Sequence, residues 1–134
     1  MSDHTSVAYE AVQTAVYAAI SGHITGAVYD AVPGSAVFPY TVLGDVGDTE
    51  FEARGVKGRA VVFSTRTYTR DVGGKFPCYR IMAQIVEHLT ASRLVMNGWQ
   101  EVQKTYRASG VTLDTVEAGT FVGTVSFVML VVRS

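Results

Sequence analysis

The sequence predicts an α+β domain: a small, mostly antiparallel sheet of about five strands with two main helices, α/β sandwich-like, in the order α-β-β-β-α-β-β. Three observations carry this reading. The 134 residues include 22 Val and 14 Thr against 5 Leu, a β-branched bias that favours strands. Two segments break that bias with the spacing of amphipathic helices. A chain of this length is expected to form one domain over residues 1–134, burying roughly two-thirds of its unfolded surface without a disulfide or metal staple.

The first helix is expected over Val7 to Ile20, where Ala8, Val12, Ala15 or Val16, and Ala19 or Ile20 fall on one stripe, with Gly22 placed to stop it. Ala27 to Val32 is a short strand candidate ended by Pro33-Gly34, and Tyr40 to Val46 is another, entered through Phe38-Pro39. In Arg59 to Arg70, Val61 and Phe63 share a face with Thr65, Thr67 and Thr69, and the opposite face, with Val62, Ser64, Arg66 and Tyr68, is wetter.

The second helix runs from Phe76 or Pro77 to Ala91, with Cys78, Ile81 or Met82, Ile85 and Leu89 in one stripe. Pro77 is tolerated in its first turn, where the missing N–H costs nothing. Asn97-Gly98 is a turn signal. Gln100 to Ala108 then alternates Val102, Lys104 and Tyr106 with Glu101, Gln103, Thr105 and Arg107. The chain closes with Phe121 to Val132, apolar on both faces from Phe127 onward, so both faces of that segment need cover. The polar stretches Gly44 to Gly58 and Ser109 to Gly119 are expected to be long loops.

Composition excludes several functions. The 11 basic and 12 acidic residues give a net charge near −1 with no basic run, whereas nucleic-acid binders show a basic stripe because counterion release supplies most of their affinity. Cys78 is the single cysteine and forms no internal disulfide or zinc cluster. Met1 to Ser6 lacks the charged start and apolar run of a signal peptide, so the chain is expected to start in its mature form. The longest apolar run, Phe127 to Val132, is far below the ~20 residues of a membrane span.

Catalytic and ligand motifs fail on spacing. Gly73-Gly74-Lys75 is followed by Phe76 and lacks the first glycine of a phosphate-binding loop, and Gly44, Gly47, Gly55 and Gly58 miss the dinucleotide pattern. His4, His23 and His88 contain no i, i+4 pair of the zinc-enzyme kind, so neither metal nor cofactor is expected. Asp45, Asp48, Glu50 and Glu52 do not match a calcium loop and read as a solvated acidic segment or a surface for a basic partner. Glu87-His88 is the one acid–imidazole pair in an apolar element; it leaves a small thioesterase-like enzyme as a competing reading, beside the simpler one of a wet helix face. No Gly-x-Ser-x-Gly nucleophile motif is present.

The ordered sum of features resembles a known family. An Ala-rich helix is followed by Val28-Tyr29, then Phe38-Pro39-Tyr40-Thr41-Val42-Leu43-Gly44 and the polar Asp45 to Thr49. Next come Gly58 to Tyr68, a helix ending Ile85-Val86-Glu87-His88-Leu89, the turn Val95-Met96-Asn97-Gly98, Leu113-Asp114, and Gly119 to Val132. Over Ala8 to Val132 this is similar to the tail-completion, or tail-terminator, family of long-tailed bacteriophages and phage-like gene transfer agents, with Pro39-Tyr40 as its sharpest local marker.

The resemblance implies a structural virion protein without enzyme activity, assembled in the host cytoplasm. It implies a hexameric ring of this chain at the head-proximal end of the tail, where it stops tube growth and offers a surface for the head. The implied partners are other copies of itself, the tail tube protein and a neck or head-completion protein, with DNA only in transit through the lumen. Another neck adaptor or a tube subunit of the same particle remains an alternative, since fold does not settle role.

Two sets of residues are expected at subunit or tube contacts. Asp45, Asp48, Glu50 and Glu52 could pair head to tail with Arg66, Arg70 and Lys75 of a neighbour, a heterologous contact that closes into a ring. Phe127, Met129 and Val131 on the last strand could be buried against another subunit.

Overall fold

Alternating β-branched residues build a single five-stranded sheet from β1 (Ala27–Tyr29), β2 (Tyr40–Ala53), β3 (Val56–Arg70), β4 (Trp99–Leu113) and β5 (Thr120–Arg133), in the spatial order β1-β2-β3-β5-β4. Helix α1 (Tyr9–Ile20) precedes β1, and α2 (Phe76–Thr90) joins β3 to β4. This is a computed structural model that describes residues 8–53, 55–70, 74–113 and 119–133. The Met1–Ser6 segment with His4, and Gly73 and Asp114, lie outside the described residues. Only β1 runs parallel to its neighbour, β2; the other pairs are antiparallel. The expected element order and fold class are therefore those observed.

Both helices lie over one face of the sheet. The α1 stripe Ala8, Val12, Ala15, Val16 and Ile20 and the α2 stripe Cys78, Ile81, Met82, Ile85 and Leu89 are buried with Val61 and Phe63 of β3 and Val125, Phe127, Met129 and Val131 of β5. Phe63 and Phe127 stack at the centre, 5.6 Å between ring centroids. The threonines that share this face of β3 are buried as well, and Thr67 shares a 2.9 Å hydrogen bond with Thr41 of β2. Helix α2 approaches β5 so closely at Gly123 that a β-carbon there would lie 2.5 Å from both Cys78 Sγ and Met82 Sδ. Burial also pushes the Cys78 thiol pKa up, leaving it a packing residue.

The polar stretch Gly44 to Gly58 is a correction to the sequence reading. It is the far half of a long β2–β3 hairpin, with strand pairing from Thr49↔Ala60 to Ala53↔Val56. Opposite charges facing one another across the strands explain why so polar a segment pairs: Glu50 lies opposite Arg59 and Glu52 opposite Lys57. Likewise β4 extends through Val111 to Leu113, well into the stretch read as a loop from Ser109.

Strand β4 also departs from simple alternation. An irregularity between Glu101 and Gln103 puts Glu101, Lys104 and Tyr106 opposite Val131, Met129 and Phe127, all on the helix-covered face. Glu101 and Lys104, which strict alternation assigns to opposite faces, thereby form an ion pair of 2.9 Å with side chains only 8% and 4% exposed. The same Glu101 oxygen accepts the Leu94 N–H at 2.9 Å, and Lys104 donates to the Ser92 carbonyl at 3.1 Å, so the pair fastens the α2–β4 connection to the sheet. Glu101→Ala is expected to destabilise the fold by about 3–5 kcal/mol, because it strands a buried ammonium and a backbone donor. In chemical denaturation, Glu101→Gln with Lys104→Met should recover most of that loss, since the amide still accepts from Leu94 and no charge is left buried.

Candidate assembly surface

With the helices on one face, the other face of the sheet has no element packed on it among the described residues. Strand alternation and register bring together there Ala60 and Val62 of β3, Val128, Leu130 and Val132 of β5, and Gln103 and Thr105 of β4. Val62 is 38% exposed, and Val128, Leu130 and Val132 are half-buried. Toward β1 the same face turns aromatic: Tyr40 and Tyr68 stack at 5.2 Å, Phe38 packs on Tyr40 at 5.4 Å, and the Arg70 guanidinium lies 4.7 Å over the Phe38 ring. Phe38 is joined to Pro39 by a cis peptide. Ser64, Arg66, Thr124 and Ser126 lie between the aliphatic and aromatic patches, and exposed apolar patches rimmed by polar side chains are the kind of surface that protein contacts use.

The sheet edges add to it. β1 pairs only with Tyr40 to Val42 of β2, so the rest of that 14-residue strand forms an edge with no partner strand among the described residues. β4 forms the opposite edge, where Gln100 alone makes an isolated bridge, to Val95, among the described residues. Edge strands of this length are templates for pairing with another chain.

The predicted contact residues divide. Phe127, Met129 and Val131 are fully buried beneath the helices of their own subunit, so they have no surface to present; the apolar side chains that β5 does present are Val128, Leu130 and Val132. The Asp48 side chain, 1% exposed, is covered too. Its Oδ1 accepts from Arg59 at 2.7 Å and its Oδ2 accepts the Ala8 N–H at 3.0 Å, at the start of α1. The hydrogen bond that Arg59 donates to Asp48 holds the guanidinium above its ordinary pKa, against the opposing effect of burial. Asp48 thus ties the helix to the sheet, while Asp45, Glu50 and Glu52 are exposed.

Arg66 is exposed on the uncovered face, Arg70 ends β3 with its Nε 3.5 Å from Thr120 Oγ1, and Lys75 is exposed at the start of α2. Eleven residues of β3 separate Arg59 from Arg70, about 36 Å of strand at ~3.3 Å per residue. The acidic hairpin tip and the Arg70–Lys75 end are therefore too far apart to pair within one subunit. Lys57 and Arg59, facing the acids from β3, were missed as partial local neutralisers; complementary spacing in an antiparallel hairpin was the available signal.

The one acid–imidazole pair singled out in the sequence does not share a pocket. Glu87 and His88 line different hollows, Glu87 with Tyr79, Met82 and Tyr106, and His88 with His23 and Arg93. Among the described residues no group of three or more His, Cys, Asp or Glu side chains lies within reach of one metal ion. No described helix is long and apolar enough to cross a membrane.

Fold and surface together define a small α+β domain with both helices on one face of its sheet and no described element on the other. The family model described as tail completion protein gp17 matches residues 10–131. The chain belongs to that family of structural tail proteins and so to the virion tail. Among solved structures, a chain from "Virion of native gene transfer agent (GTA) particle" has the same fold, with a TM-score of 0.80, 21% identity, and coverage of 94% of this chain and 98% of that one. A search of curated protein sequences gave no match.

Proposed function

We propose that this protein terminates the tail tube: copies of it close into a hexameric ring at the head-proximal end, stop tube growth and present the surface to which the head is joined. The observation that carries this reading is the uncovered sheet face around Val62, Val128 and Leu130, with an open edge on either side. A face and two unlike edges favour head-to-tail contacts, which close into rings when the rotation permits. The family match and the occurrence of the same fold in a gene transfer agent virion support the setting. The partners are the tube protein on one ring face and a neck or head-completion protein on the other. DNA passes only in transit, in keeping with a net charge near −1.

Electron microscopy of particles made without this gene tests the reading. Overlong or headless tails, restored to normal by the intact gene, are expected. Normal joined particles would remove the terminator role, and complete absence of a tube would make the protein a tube subunit instead.

A further inference from the structure

The histidines that look scattered in sequence meet in the fold. His23 follows α1, His88 lies in the last turn of α2, and their ring centroids are 5.5 Å apart. With Zn–N bonds of about 2.0–2.1 Å and about 1.1 Å from each nitrogen to its ring centre, two imidazoles on one tetrahedral ion lie about 5.2 Å apart. The observed separation is thus close to that of two ligands sharing one ion.

The pair is held from both sides. Gly22, at φ +80°, turns the chain out of α1, and the His23 N–H donates to the Ile20 carbonyl at 3.0 Å. One residue on, Ile24 is buried in the core, and Thr25 N–H donates at 2.8 Å to Gln84 Oε1, one helical turn before His88 on α2. The alanines Ala15, Ala18 and Ala19 leave a hollow of about 320 Å³ beside the rings. The last turns of two helices adjoin it, and helix C-termini favour positive charge. Arg93, exposed at the rim, is the one other charged residue lining the hollow.

We propose that His23 and His88 form a two-imidazole site for a borderline divalent transition-metal ion, represented by Zn²⁺, with water completing its coordination. Imidazole nitrogen suits zinc, copper and nickel and not the hard, oxygen-seeking magnesium ion. Bound metal clamps the α1–β1 connection to the end of α2. The site is remote in sequence from the uncovered sheet face, and its test does not depend on ring formation.

The experiment is calorimetric titration of the full chain with ZnCl₂, alongside thermal unfolding with and without metal. Expected are saturable binding of one ion and a zinc-dependent rise in Tm. His23→Ala and His88→Ala should each lower affinity by at least about tenfold and abolish the rise, with the metal-free Tm near that of the parent chain. His4→Ala should bind as the parent does, and MgCl₂ should produce neither signal. Zinc binding that persists in both single variants, binding lost with His4, or no saturable binding at millimolar zinc would overturn the proposal.

Discussion

Phe127→Ala is expected to lower the unfolding free energy by about 3–5 kcal/mol, the cost of deleting a fully buried aromatic side chain and leaving a cavity. The residue has no exposed surface, stacks on Phe63 at 5.6 Å and meets the edge of Tyr106 at 5.8 Å, with α2 above it. Such a loss is a large fraction of the stability of a typical domain, about 5–15 kcal/mol. Urea unfolding followed by circular dichroism should show a large drop in midpoint with little change in slope. Phe127→Leu, which keeps most of the volume, should lose much less. An alanine variant as stable as the parent but unable to assemble would instead place Phe127 at a subunit contact.

That outcome bears on how far the sequence could be read. Both helix stripes were legible, because a period near 3.6 over three or four turns, bounded by Gly22 at one end and opened by Pro77 at the other, has few alternative readings. The buried face of β3 was legible for the same reason with period 2. What was not legible was which face of β5 the helices would take. Phe127 to Val132 is apolar at every position, so alternation carries no information there; only the register with β3, which sets Val61 beside Met129 and Val62 beside Val128, decides it.

The hairpin from Gly44 to Gly58 escaped for a different reason. Its polar composition resembles a loop, and the juxtapositions that favour pairing, Glu50 opposite Arg59 and Glu52 opposite Lys57, exist only once the strands are aligned. The same dependence hid the Glu101–Lys104 pair, since an irregularity in β4 reassigns faces that strict alternation keeps apart. The histidine pair was invisible in principle: 65 residues separate His23 from His88 (88 − 23), and no local spacing rule links the end of one helix to the end of another.

Val128→Lys is expected to do the reverse of Phe127→Ala, although the two positions are adjacent. Val128 points to the uncovered face, opposite Val62 and Thr105. Its side chain is half-buried with no helix above it, so a lysine there can extend into water along its apolar stem. The isolated subunit should lose no more than about 1 kcal/mol, within the span of strand substitutions. Association is a different matter, because a charge placed at the centre of a closed apolar contact must be desolvated without a partner. Particles carrying Val128→Lys should therefore show overlong or headless tails while the purified variant keeps the parent circular dichroism spectrum and a Tm within a few degrees. Val62→Lys, across the strand pair, should give the same result. A substitution at exposed Arg80, outside that face, should leave tails normal. Normal tails with both lysine variants would remove this sheet face from the ring contact and leave the strand edges to carry it.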